Sequence, residues 1–312
     1  MQTKLRRLNQ TDKLGIFCSS APLSNERSQL AYNNLRKLGY EVCVPLDPAR
    51  DYGRYDHGFA NGSPDERLAS IHSLAADDTV GALLASRGAY GCVELLPRVD
   101  YEGLRSAGKA VIGCSDVTAL LLQVAFRSGI PAIHGATLGS SFADYVSDVA
   151  AKNSVDALLR MLTDPNFRQK LGGERLRVGR GEGPIIAGNL SVLVSLLGTP
   201  WDVDYAGAVL VLEEVGEPPY KLHRMFLQLA QAGKLDSLSA LCLGRFHNCT
   251  GKHGPGTDDV FAMLVKDILK TTKYPVIKGL PIGHYGENQP LPVGCRAVVE
   301  NDTLTVLESP LV

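Results

Sequence analysis

The stretch that decides the fold runs from residue 110 to residue 127: Ala110-Val111-Ile112-Gly113-Cys114-Ser115-Asp116-Val117-Thr118, then Ala-Leu-Leu-Leu-Gln-Val-Ala-Phe-Arg. Its opening apolar run has the length and composition of a strand buried on both faces. The run ends at Gly113, and from about Asp116 to Arg127 Leu120, Leu121 and Val124 fall at helical spacing. A strand that passes into a helix within a few residues is half of a βα unit. The alternation extends upstream. Leu14-Gly15-Ile16-Phe17 reads as a strand and residues 26–39 as a helix carrying Leu30, Ala31, Leu35 and Leu38. Glu41-Val42-Cys43-Val44 is a second strand, and Val80-Gly81-Ala82-Leu83-Leu84-Ala85 a third. Between them Ser63-Pro64-Asp65-Glu66 has the makings of a capping box, with proline at the first helical position. Apolar strands alternating with helices predict an α/β fold whose parallel sheet is covered on both faces.

Downstream the pattern lapses. Residues 164–183 are polar and glycine-rich and read as a connection. Further β-runs follow at 208–212 and 238–243, with helical patterns near 219–232 and 257–271. Arg296-Ala297-Val298-Val299 and Thr303-Leu304-Thr305-Val306 predict a hairpin around Asn301-Asp302. The expected organisation is an N-terminal domain over 1–165, a linker over 166–184 and a C-terminal α/β domain over 185–312. A length of 312 residues suits two such domains.

Composition excludes several classes of function. Lys and Arg total 32 against 33 Asp and Glu, a formal charge of −1, so no basic excess exists to neutralise phosphates and no nucleic-acid partner is expected. Cys18, Cys43, Cys92, Cys114, Cys242, Cys249 and Cys295 form no CxxC pair, the pattern of reduced thiols in a reducing compartment. The basic Lys4, Arg6 and Arg7 lead into polar residues rather than an apolar core, and no run reaches the roughly 18 apolar residues of a membrane span. A soluble, cytoplasmic protein is expected, with no membrane partner.

Ser115, at the strand-to-helix junction, would hold its hydroxyl at the carboxyl edge of the sheet, beside N–H groups able to stabilise an oxyanion. Val117 replaces the second glycine of the G-x-S-x-G elbow, and on this tetrapeptide alone a helix N-cap is the commoner role for the serine. Among the histidines, His284 closes Leu280-Pro281-Ile282-Gly283-His284, a loop able to mount a catalytic imidazole. Acids cluster at the end of an apolar run in Leu212-Glu213-Glu214-Val215-Gly216-Glu217-Pro218-Pro219-Tyr220, where a carboxylate could orient that imidazole. Gly88-Ala89-Tyr90-Gly91 would let backbone N–H groups approach a substrate carbonyl. His247, Cys249 and His253 fit no common zinc spacing, so no metal is expected.

Ordered along the chain, Ser86-Arg87-Gly88-Ala89-Tyr90-Gly91, Ile112-Gly113-Cys114-Ser115-Asp116, His134-Gly135, Gly188-Asn189-Leu190-Ser191, the acidic segment at 212–220 and Gly283-His284 together resemble the LD-carboxypeptidase family of serine peptidases, which also contains the microcin C immunity proteins. The resemblance runs from about residue 13 to the C-terminus. It implies Ser115 as nucleophile, His284 as base and Glu217 as the carboxylate that orients it. It further implies an oxyanion hole from the backbone N–H groups of Ala89 and Asp116, with Gly88 and Asn189 as candidate substrate contacts. The implied fold is a Rossmann-like N-terminal domain, related to class I amidotransferases, followed by a smaller α/β domain, with the active site between them and homodimers usual. The implied activity is release of the terminal D-alanine from murein tetrapeptides in peptidoglycan recycling, with no cofactor. The alternative is the immunity branch, which cleaves an aminoacyl-nucleotide analogue. Its site should hold an adenine platform, and Trp201 is the sole tryptophan. A non-catalytic binding protein would explain the fold but not the ordered Ser, Glu and His. Two positions depart from the family: Ala89 stands where Gly-Gly is common, and Cys114 precedes the serine.

Overall fold

The apolar runs of the N-terminal half become the central strands of one sheet. The computed structural model describes residues 3–49, 59–252 and 254–312, so His57 and His253 lie outside the described residues. The chain divides into two units: Met1–Phe167 with Glu287–Gly294 and Ser309–Val312, and Arg168–Gly286 with Cys295–Glu308.

In the first unit the order is β1 (Lys13–Phe17), α1 (Asn25–Lys37), β2 (Val42–Cys43), α2 (Pro64–Ala76), β3 (Val80–Ala85), α3 (Tyr101–Ala107), β4 (Ala110–Gly113), α4 (Thr118–Gln123), β5 (Ala132–His134) and α5 (Val149–Thr163). The Ser63 capping box forms as expected and starts α2. The second unit contains β6 (Lys170–Gly172), β7 (Glu174–Arg177), β8 (Arg180–Asn189), α6 (Leu190–Leu196), β9 (Val209–Val215), α7 (Pro219–Gln231), β10 (Ala240–His247), α8 (Thr257–Met263) and β11 (Val276–Lys278). The chain then returns β12 (Leu291–Val293) to the first unit and closes the second with β13 (Arg296–Glu300) and β14 (Thr303–Val306).

The first sheet has the order β12-β5-β4-β3-β1-β2. Its strands are parallel except β12, which runs antiparallel to β5. β3 and β4 are buried at every position, as strands packed on both faces must be. The second sheet has the order β6-β14-β13-β8-β9-β10-β11-β7, a parallel centre from β8 to β11 with antiparallel flanks. The β13–β14 hairpin turns at Asn301 and Asp302, both at positive φ (49° and 73°), as a two-residue loop requires.

Two expectations about organisation are corrected. Residues 166–184 are not a linker, because β6, β7 and the start of β8 lie there. Gly181 and Gly183 look like loop residues but are packed against backbone: an added Cβ would fall 1.7 Å from Ser239 O and 1.8 Å from Gly207 O. Nor is 185–312 a continuous domain, since 287–294 and 309–312 belong to the first unit. Asn288 N–H donates to Ser154 Oγ (2.9 Å) and Asn153 Nδ2 to Glu287 Oε1 (2.6 Å), which fastens the returning segment to α5. Among the described residues no helix is long and apolar enough to cross a membrane.

Candidate active site

At the carboxyl edge of the first sheet, β4 passes through an extended Cys114 and turns sharply at Ser115, whose φ is +59°. A left-handed serine costs on the order of 1–2 kcal/mol, and such strain persists only where the surroundings enforce it. The hydroxyl caps neither the short 3-10 turn Ser115–Val117 nor α4, so the N-cap reading falls. Cys114 is buried while Ser115 is half-buried, so of the two neighbours the serine is the more accessible.

The loop after β3 lies directly against it. A Cβ added at Gly88 would sit 2.7 Å from Ser115 Cβ, 3.0 Å from its Oγ and 3.4 Å from Asp116 N. Ala89 follows with φ +98°, a conformation glycine adopts freely and alanine only under strain. The Asp116 side chain faces away from bulk water. Its buried Oδ2 accepts from Ser20 Oγ (2.5 Å) and Cys92 N–H (2.8 Å). Burial raises its pKa, partly offset by those two donors and the charge of Arg67. Arg67, fully buried, donates Nη1 to Ser19 O and Gly91 O (2.8 Å each) and Nη2 to Glu94 Oε2 (2.5 Å). Loops from the ends of β1, β3 and β4 are thus tied into one rigid rim, the edge where open α/β sheets bind ligands.

The second unit carries an imidazole on a buried carboxylate. Adjacent residues of a strand point to opposite faces, so Glu213 and Glu214 of β9 have separate roles. Glu213, 1% exposed, places Oε2 2.6 Å from His284 Nδ1. Glu214 turns the other way: Oε1 accepts from Asn189 Nδ2 and Val215 N–H, and Oε2 from Ser191 N–H, each at 2.8 Å. Burial alone would push the His284 pKa down. The Glu213 hydrogen bond and the charges of Glu213 and Glu214 outweigh it, and the pKa lies above the ordinary histidine value. His247 stacks on Tyr285 at 4.0 Å and braces the turn that holds His284.

Two sequence expectations change. The carboxylate on His284 is Glu213, not Glu217. Glu217 lies beyond the strand, after the left-handed Gly216, and pairs with Lys221 of α7 at 2.9 Å. Asn189 does not offer its amide to a substrate. It caps α6, accepting from Val192 N–H (3.2 Å) and Ser191 Oγ (2.7 Å), while its Nδ2 is held by Glu214. Sequence reasoning also passed over Arg67 and Ser20. A buried arginine in an amphipathic helix carries no signal beyond its position on the apolar face.

A strained serine and a carboxylate-held imidazole are the side-chain types that acyl transfer through a serine requires. The chain is a hydrolase of the serine type. Residues 14–135 match the LD-carboxypeptidase N-terminal domain and 182–299 the LD-carboxypeptidase C-terminal domain, and the chain belongs to the LD-carboxypeptidase family. It is 35% identical to the murein tetrapeptide carboxypeptidase of Pseudomonas aeruginosa, over 78% of this chain and 80% of that one. The solved muramoyltetrapeptide carboxypeptidase of Oxalobacter formigenes is 26% identical, with a TM-score of 0.83 over 96% of this chain and 99% of that one. The microcin C7 self immunity protein in its wild-type apo state, 22% identical, shares the fold at a TM-score of 0.87 over 99% of this chain and 100% of that one.

Proposed function

We propose that this chain releases the terminal D-alanine from murein tetrapeptides, with Ser115, His284 and Glu213 acting as its triad. The observation that carries the assignment is the bond between Glu213 and His284 Nδ1. A buried carboxylate accepting from Nδ1 fixes the tautomer and leaves Nε2 as the free base. His284 takes the Ser115 proton as the hydroxyl attacks the peptide carbonyl, and the N–H groups of Ala89 and Asp116 hold the oxyanion. The imidazolium then protonates the departing D-alanine amine, and water cleaves the acyl-enzyme along the reverse proton path. The relatives named for murein peptides support this substrate. The same reading places the enzyme in the cytoplasm as a homodimer acting on imported wall fragments. Light scattering tests the dimer.

The test is to incubate the protein with murein tetrapeptide and follow its mass. Loss of one alanine is expected, and Ser115→Ala should lower turnover by on the order of 10⁴–10⁶. Intact tetrapeptide with hydrolysis of an aminoacyl-sulfamoyl adenosine would move the chain to the immunity branch. Binding of either without turnover would make it a binding protein.

A further inference from the structure

We propose that Arg245 is the group that grips the terminal carboxylate of the substrate, an assignment that rests on the carboxypeptidase reading above. Arg245 lies on β10, and its N–H donates to Ile282 O at 2.7 Å, so its side chain starts beside the turn that delivers His284. From there it runs along that turn. A Cβ added at Gly283 would lie 3.1 Å from Arg245 Cβ, and one added at Gly286 would lie 3.3 Å from both Cζ and Nη1. The two glycines that bracket His284 leave the space the arginine occupies.

Arg245 is exposed, and among the described residues its guanidinium has no hydrogen-bond or ion-pair partner. The acids of the same region are already engaged: Glu213 with His284, Glu214 with Asn189 and Ser191, Glu217 with Lys221. An uncompensated guanidinium is a planar fork matched to a carboxylate, which it can bind through two parallel N–H···O bonds.

The chemistry of the leaving group explains why that cation belongs next to the base. In D-alanine a single carbon separates the amine from the carboxylate. The group that protonates one and the group that holds the other must therefore be neighbours. Arg245 lies on β10 directly beside the turn that carries His284. A terminal carboxylate is also what distinguishes the last peptide bond from an internal one, so this contact would make the enzyme a carboxypeptidase rather than an endopeptidase.

The experiment compares two substrates with the full-length protein: murein tetrapeptide with a free C-terminal carboxylate, and the same peptide ending in a carboxamide. The wild type should favour the acid by about 10- to 100-fold in kcat/KM, mostly through KM, as expected for hydrogen bonds to a charged group. In Arg245→Gln the acid-to-amide ratio of kcat/KM should fall to about one. Arg245→Lys should restore part of the preference, since it returns the charge but not the fork. Unchanged melting of both variants confirms that the fold is intact. An Arg245→Gln variant that keeps the wild-type preference would overturn the assignment alone, and so would a wild type that hydrolyses both peptides equally. A wild type inert on both would overturn the carboxypeptidase reading and the subsite with it.

Discussion

At the scale of single residues, the His284–Glu213 pair makes the proposed mechanism testable by pH. A general base must be neutral, and the His284 pKa is raised, so the acid limb of kcat/KM should lie above the ordinary imidazole value of about 6.5. Glu213→Gln removes the partner that outweighs burial. That limb should move to lower pH and kcat/KM should fall by roughly 10²–10⁴, whereas Glu217→Gln, which breaks only a pair with Lys221, should leave the profile in place. A pH series of initial rates separates the two. The same pair has a stability signature. A histidine with a raised folded-state pKa contributes stability that is fully present below its unfolded pKa and is lost as pH rises through the folded one. Urea unfolding across that window should show the loss in the wild type and a smaller one in Glu213→Gln. Ala89 offers an independent test. At φ +98° it carries strain that glycine would not, so Ala89→Gly should add about 1 kcal/mol and raise Tm by roughly 2–4 °C in a thermal melt. The choice between Glu213 and Glu217 was not legible in the sequence. Reading the strand as ending at Leu212 put both acids in a loop, whereas β9 continues to Val215 and its two-residue period aims Glu213 at the imidazole.

At the scale of elements, the ends of three parallel strands are joined by buried polar groups rather than by the sheet. Arg67 spans Ser19, Gly91 and Glu94, and the Asp116 carboxylate spans Ser20 and Cys92. Arg67→Met removes the donor from two buried carbonyls and one carboxylate, and should cost about 3 kcal/mol or more. Hydrogen exchange should show the protection of residues 86–94 falling further than that of β3 and β4. Turnover should fall with it, because the proposed mechanism needs that rim to present the Ala89 N–H. The elements themselves divide by what they bury. β1, β3, β4, β9, β10 and the β13–β14 hairpin were readable because apolar runs or a two-residue Asn-Asp turn specify them. β6 and β7 were not. They stand at the two edges of the second sheet and, apart from the buried Leu171, present exposed or half-buried side chains, so their sequence resembles a loop. The glycines of β8 misled for the opposite reason, marking the close approach of another backbone rather than freedom to turn.

At the scale of the whole molecule, the chain changes unit after Phe167, Gly286, Gly294 and Ser309's predecessor Glu308. Each unit therefore needs residues from late in the sequence. Besides β12, the first unit is closed by Leu5 N–H to Pro310 O (2.8 Å) and Val312 N–H to Leu5 O (3.0 Å). A fragment of residues 1–167 lacks these bonds and leaves the edge of β5 unpaired. It should melt without a cooperative transition or aggregate, as circular dichroism and light scattering would show. The seven cysteines form no disulfide, and all but Cys43 are buried. The late return of β12 also bears on the order in which the protein becomes active. On a translating ribosome the strand that leads to Ser115 emerges early, but the sheet around it is completed only by β12, after β6 to β11 and His284 have been made. A nascent chain should thus hold Ser115 in an unfinished sheet until His284 is already synthesised, so the two side chains of the proposed mechanism become available together.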